Sequence, residues 1–127
     1  MAVDVIKTEK APGAVGPYSQ AIKAGDFLFA SGQVALDPAK GKLVGGGVVD
    51  QAEQCMKNVG ALLEAAGMSY DNVVKTTVYL TNMDFFGTVN TVYGKYFAST
   101  LPARSCVAVA ALPKGALVEV EVTAYAE

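Results

Sequence analysis

From Leu117 to Tyr125 the chain alternates without a break. Val118, Val120, Val122 and Ala124 fall on one side, and Glu119, Glu121, Thr123 and Tyr125 on the other. Successive side chains of an extended strand point to opposite faces, so this segment carries one apolar face and one largely polar face. A strand alone cannot bury the apolar face. It needs neighbouring strands and a covering layer. That layer is legible upstream: Val48, Ala52, Cys55, Met56, Val59, Leu62, Leu63 and Ala66 recur at helical spacing. The pattern predicts an amphipathic helix from Val48 to Ala66, with Gly67 as its left-handed stop.

The other segments fill in around this pair. Val3 to Ile6 is an expected edge strand, and Ala11 to Pro17 a Gly/Pro-rich loop. Tyr18 to Lys23 reads as extended, Ala24-Gly25-Asp26 as a turn, and Phe27 to Gln33 as a strand completing a hairpin. Asp37 to Gly47 is an expected loop. Val73 to Leu80 is β-branched and predicts a strand. Asp84 is the expected N-cap of a second helix bearing Phe85, Val89, Val92, Tyr93, Tyr96 and Phe97. Ser105 to Ala111 reads as a buried strand. The order β-β-β-α-β-α-β-β predicts one α+β domain over residues 1–127, with a partly parallel mixed sheet and both helices on one face. Few of the long strands read as polar on their second side, so the uncovered face is expected to associate with other copies.

Composition narrows the chemistry. The chain has no histidine and two cysteines, Cys55 and Cys106. Histidine is the commonest metal ligand and the commonest general base near neutral pH, so metal catalysis and Ser-His or Cys-His catalysis are disfavoured. Two cysteines are too few for a disulfide scaffold, which favours a reducing, cytoplasmic setting. No run of about 20 apolar residues exists to span a membrane, and residues 1–10 lack the apolar core of a secretory signal. The net charge of −2, without a basic run, disfavours a nucleic-acid partner. Gly45-Gly46-Gly47 lacks the following Lys-Ser/Thr of a phosphate loop.

Arg104 is the only arginine beside nine lysines. Its planar fork matches a carboxylate as lysine cannot, although structural ion pairs recruit arginine for the same reason. Glu119 and Glu121 share a strand face. With no histidine available, either can orient a water, or both can be ordinary solvated residues. Cys106 shares a face with Arg104 if the strand is regular; it reads as a small core residue or as a thiol activated by the cation. Ser31-Gly32-Gln33 and Gly16-Pro17-Tyr18-Ser19-Gln20 expose backbone beside polar side chains, as turns do and as ligand sites do. Asn90 is polar within an apolar stretch.

Taken together, Ala11-Pro12, Gly16-Pro17-Tyr18-Ser19-Gln20-Ala21, Ser31-Gly32-Gln33, Val74-Lys75-Thr76-Thr77-Val78, Thr88-Val89-Asn90, Pro102-Ala103-Arg104-Ser105-Cys106-Val107 and Val118-Glu119-Val120-Glu121 resemble the RidA/YjgF family of imine and enamine deaminases. The resemblance runs through nearly the whole chain in order. It implies a chorismate-mutase-like α+β fold and a homotrimer with clefts between subunits. It implies hydrolysis of the 2-imino acids and 2-enamines released by pyridoxal-phosphate enzymes such as threonine dehydratase, yielding 2-oxo acids and ammonia without cofactor or metal. By position, Arg104 matches the carboxylate-binding arginine, and Tyr18, Ser31, Gly32, Asn90, Cys106 and Glu119 match other pocket residues. On this reading Glu119 holds the water and Tyr18 closes the pocket. Alternatives within the family are a non-catalytic binder of small 2-oxo acids and an RNA- or protein-interaction role.

Overall fold

The computed structural model describes residues 3–127. Nine strands and two α-helices follow in the order β1 (Val3–Ile6), β2 (Ala21–Ala24), β3 (Phe27–Ala30), β4 (Gln33–Val34), β5 (Leu36–Asp37), β6 (Lys42–Leu43), α1 (Val48–Ala65), β7 (Val73–Leu80), α2 (Phe86–Gly94), β8 (Ala103–Ala108) and β9 (Val118–Tyr125). The main sheet runs β1-β2-β3-β9-β7-β8, with β4 also paired to β9, and β5 and β6 form a separate small hairpin. Only β7 and β8 are parallel, joined across α2; the other pairings are antiparallel. The mixed α+β sheet expected from the element order is therefore present.

Both helices cover one face. Val59 and Leu63 of α1 and Val89, Val92 and Tyr93 of α2 share a buried core with Val78, Leu80, Val118, Val120 and Val122. α1 ends as its sequence requires. Gly67 adopts φ +73°, and the Met68 N–H donates to the Leu63 carbonyl at 2.8 Å, closing the last turn. The buried Asn58 of α1 ties the helix to the sheet edge. Its Nδ2 donates to the carbonyls of Val34 (3.1 Å) and Leu36 (3.0 Å), where β4 and β5 leave the ladder.

Several sequence expectations are corrected. The strand expected from Phe27 to Gln33 is two strands, and the one expected from Tyr18 begins at Ala21. Phe29 pairs with Thr123 and Gln33 with Val120, so β9 advances three residues while the other chain advances four. The extra residue makes a bulge at Ser31-Gly32, which turns the Gln33 side chain inward. Residues 37–47 are not all loop, because Lys42–Leu43 pairs with Leu36–Asp37.

Asp84 does not cap the second helix. Asn82 does the capping two residues earlier, its Oδ1 accepting the Asp84 N–H at 2.9 Å and opening a 3-10 turn that leads into α2. Asn82 has the extended backbone that a cap needs. The last expected helix residues, Tyr96 and Phe97, lie beyond α2 and pack back on Tyr70 and Tyr93.

The strand expected to be buried at Ser105 to Ala111 is instead β8, a sheet edge with Ala103, Ser105 and Val107 exposed. It has a neighbour on one side only, and α2 covers just part of its inner face. The uncovered sheet face is also more mixed than expected. Phe27, Phe29 and Tyr125 cluster there, with ring centroids 4.9–6.2 Å apart. Beside them β7 and β9 place Lys75, Thr77, Tyr79, Glu119, Glu121 and Thr123.

Replacing Asn58 by Ala strands two buried carbonyls. It is expected to lower unfolding stability by about 1–3 kcal/mol, read as a reduced urea midpoint with an unchanged denaturant slope.

Candidate functional site

Arg104 projects from β8 on the helix side of the sheet. It sits opposite Thr76, whose buried hydroxyl is 2.7 Å from the Tyr93 hydroxyl. The guanidinium lies over two rings, 5.0 Å from the Tyr93 centroid and 5.5 Å from that of Phe86. Aromatic faces attract a cation without neutralising it. Nη1 donates to Asn90 Oδ1 at 2.6 Å, which sets the plane of the fork. Among the described residues the two ion pairs are Lys10–Glu64 and Lys95–Glu53, so Arg104 is in ion-pair contact with no carboxylate there. The recess around it, about 430 Å³, is lined by Asn90, Tyr93, Gly94, Leu101, Pro102 and Arg104. An oriented, unneutralised guanidinium in an apolar-walled recess is built to receive an anion.

Cys106 follows on the same face and packs against the core. Burial pushes its thiol up, and the opposing pull of Arg104 is the smaller effect. The thiol therefore stays protonated at neutral pH, which disfavours the activated-thiolate reading. Cys55 is fully buried and its Sγ lies 3.5 Å from the Val118 carbonyl oxygen, a packing role.

Glu119 lies on the opposite face of the sheet. It is paired with Tyr79, three positions along β7 from the residue opposite Arg104. Its carboxylate rests in the space that a side chain at position 32 would fill: a Cβ built on Gly32 meets the Glu119 carboxylate oxygen and comes within 2.8 Å of its Cδ. The bulge in the strand is what brings this glycine against β9. Partial burial raises the Glu119 carboxyl above the usual carboxylate range, and the charge of Glu121 adds to the effect. Glu121 itself accepts the Tyr79 hydroxyl at 2.8 Å. Of the two strand glutamates that spacing could not separate, Glu119 is the one seated against the bulge with a raised carboxyl, whereas Glu121 is engaged by Tyr79.

Ser31 donates through Oγ to the Ser19 carbonyl at 2.6 Å. Tyr18, in the loop before β2, is half-exposed. It lines both a narrow cleft with Pro12, Gln20, Gly32 and Gln33 and a larger groove of about 770 Å³ running toward Lys7 and Thr8. The sequence-predicted residues thus form two groups. Arg104, Asn90 and Cys106 meet on the helix side of β8, whereas Tyr18, Ser31, Gly32 and Glu119 meet around the bulge. Within one chain the groups do not converge. The sequence reading missed Tyr93 and Phe86 beneath the guanidinium, because an aromatic on an apolar helix face reads as core.

The fold and this paired arrangement define a class of small α+β proteins with an arginine held over aromatic rings on an edge strand and a glutamate seated on a bulge. Residues 8–126 match the family described as Endoribonuclease L-PSP, and the chain belongs to this family, the RidA/YjgF family. It is 56% identical over 120 residues to the mouse 2-iminobutanoate/2-iminopropanoate deaminase, covering 94% of this chain and 89% of that one. It is 52% identical to a RutC family protein of Pyrococcus horikoshii, covering 98% of each. Among solved structures it is similar to a putative endoribonuclease of Thermotoga maritima (48% identity, TM-score 0.95, 98% of each chain). It is also similar to E. coli TdcF with bound serine (40% identity, TM-score 0.93, 98% of this chain and 99% of that one).

Gly32→Ala is expected to displace the Glu119 carboxylate, since a flexible side chain yields before backbone does. Stability should change by less than about 1 kcal/mol, while a crystal structure shows Glu119 rotated away from the bulge.

Proposed function

We propose that this chain hydrolyses 2-imino acids, the tautomers of 2-enamines released by pyridoxal-phosphate enzymes, to 2-oxo acids and ammonia. The observation that carries the reading is the Arg104 guanidinium, oriented by Asn90, backed by Tyr93 and Phe86, and in no ion pair among the described residues. Relatives support it: mouse and human proteins 56% and 52% identical to this chain are named as 2-iminobutanoate/2-iminopropanoate deaminases, and TdcF was solved with serine, a small amino acid.

The chemistry asks little of the protein. Arg104 binds the substrate carboxylate and orients the C=N carbon. Glu119 holds a water against that carbon. Water adds, a proton passes to nitrogen, the C–N bond breaks as the carbonyl forms, and ammonia leaves. Fixing water and imine in this geometry replaces a chance encounter with an oriented one. Backbone near Ser31, Gly32 and Cys106 holds the nitrogen or the water, and Tyr18 closes the pocket. Because Arg104 and Glu119 occupy opposite faces of one sheet, the working site is composed of groups from neighbouring copies in a homotrimer. The exposed Phe27 and Phe29, with the half-buried Tyr125 beside them, supply apolar surface for that association.

Arg104→Ala and Arg104→Lys are expected to keep the fold but to lose a charged bidentate contact. At about 1.5–3 kcal/mol per charged hydrogen bond, kcat/KM for freshly generated 2-iminobutanoate falls by at least about 10- to 150-fold. Full activity in both variants would refute the reading.

Glu119→Gln should lose turnover while retaining affinity for 2-oxobutanoate; equal loss of both would instead favour simple binding. The pH dependence has a definite sign. A water-holding Glu119 must be ionised, and its carboxyl is raised, so wild-type activity declines on acidification at a pH above the ordinary glutamate value of about 4.3. In Glu119→Gln that acid limb is absent from the residual activity. Tight RNA binding that weakens steeply with salt would favour the ribonuclease role in the family's description.

A further inference from the structure

The segment from Ala11 to Gln20 carries Tyr18 but has no regular secondary structure. One buried side chain closes it. Gln20 Nε2 donates to the carbonyls of Thr8 (3.0 Å), Ala11 (3.3 Å) and Pro12 (2.8 Å), and Gln20 Oε1 accepts the Thr8 N–H at 2.9 Å. An amide has two hydrogens, so one of them is shared between two of the three carbonyls. The backbone continues the linkage. The Gln20 carbonyl accepts the Ser31 N–H at 2.9 Å, and Ser31 Oγ returns a bond to Ser19. The next residue, Gly32, is the seat of Glu119.

We propose that Gln20 is a positioning residue for the half-site of Tyr18 and Glu119: its amide pinches the neck of the loop that bears Tyr18 and holds that loop in register with the Ser31-Gly32 bulge. The inference rests on the deaminase reading. Gln20 acts through backbone. Its side-chain hydrogen bonds all go to residues 8–12, and the ring of Tyr18 and the carboxylate of Glu119 are reached only through the chain. The local chemistry calls for an amide. Three carbonyl oxygens converge on a buried point where an apolar side chain would leave them unpaired. No residue of the Arg104 group takes part, so the clamp governs one half of the site and leaves the other alone.

The test compares wild type with Gln20→Ala and Gln20→Glu. Glutamate keeps the length, but once ionised it has no donor and turns a charge toward the three carbonyls. Both variants are expected to lower kcat for freshly generated 2-iminobutanoate by about 10- to 100-fold, the scale of a small misplacement of reacting groups. The Kd for 2-oxobutanoate, set mainly by Arg104, should be unchanged. Hydrogen exchange supplies a readout independent of turnover: the Thr8 amide should exchange faster in Gln20→Ala while the α1 amides keep their protection.

Wild-type kcat in Gln20→Ala would overturn the proposal. So would a loss of 2-oxobutanoate affinity and α1 protection in step with kcat, which marks a general folding role. If wild type itself does not deaminate, the deaminase reading fails, and Thr8 exchange still decides the clamp: unchanged exchange refutes it.

Discussion

Strand β9 has two faces with opposite tasks, and most of the structure follows from reconciling them. Its valines must leave water, and they do so against both helices; the parallel β7–α2–β8 crossover places α2 on that side, and α1 packs beside it. Its glutamates must not be buried without compensation, since an ionised carboxylate in an apolar layer is costly. They therefore project from the face without helices. β9 lies in the middle of the sheet between β3 and β7 and also holds β4. Any shift in its register by one residue would exchange the two faces and destroy both the core and the Glu119 site.

The site uses this strand through an irregularity. A perfectly regular partner would run straight past Glu119. The extra residue at Ser31-Gly32 bends the partner, removes a side chain at the point of closest approach, and leaves room for a carboxylate. Partial burial there favours the protonated form, which makes Glu119 a stronger base when ionised than a solvated glutamate. Arg104 shows a complementary economy. Its charge is held by ring faces and by a neutral amide, so the guanidinium is oriented without being satisfied. An ion pair in the same place would have neutralised the fork and given a more ordinary surface.

Much of the fold was legible in advance because local periodicity and burial agreed. The α1 stripe, the Gly67 stop, the alternation of β9 and the β-branched run of β7 each report a single environment, and each folds as it reads. The misreadings occur where neighbours decide. The run 27–33 has the composition of one strand, and only pairing against β9 reveals the bulge. Ser105 to Ala111 is apolar enough for a core strand, but its place at the sheet edge follows from long-range pairing that gives β8 one neighbour, β7. Asn82 outcompetes Asp84 as a cap because its backbone is extended, a property of the chain's path and not of residue type.

The candidate site divides along the same line. By itself the sequence determined which chemical groups are available: one arginine, no histidine, two glutamates on one strand face, and glycine at position 32. Those facts restrict the chemistry whatever the fold. Only the tertiary structure decided which glutamate is seated on the bulge, what holds the guanidinium, and that Arg104 and Glu119 lie on opposite faces of one sheet. Sheet pairing and bulges depend on contacts between residues distant in the chain, and no local pattern records them. Arg104 and Glu119 are separated by fifteen residues in sequence. Their separation in space comes from the order in which β8, β7 and β9 sit side by side.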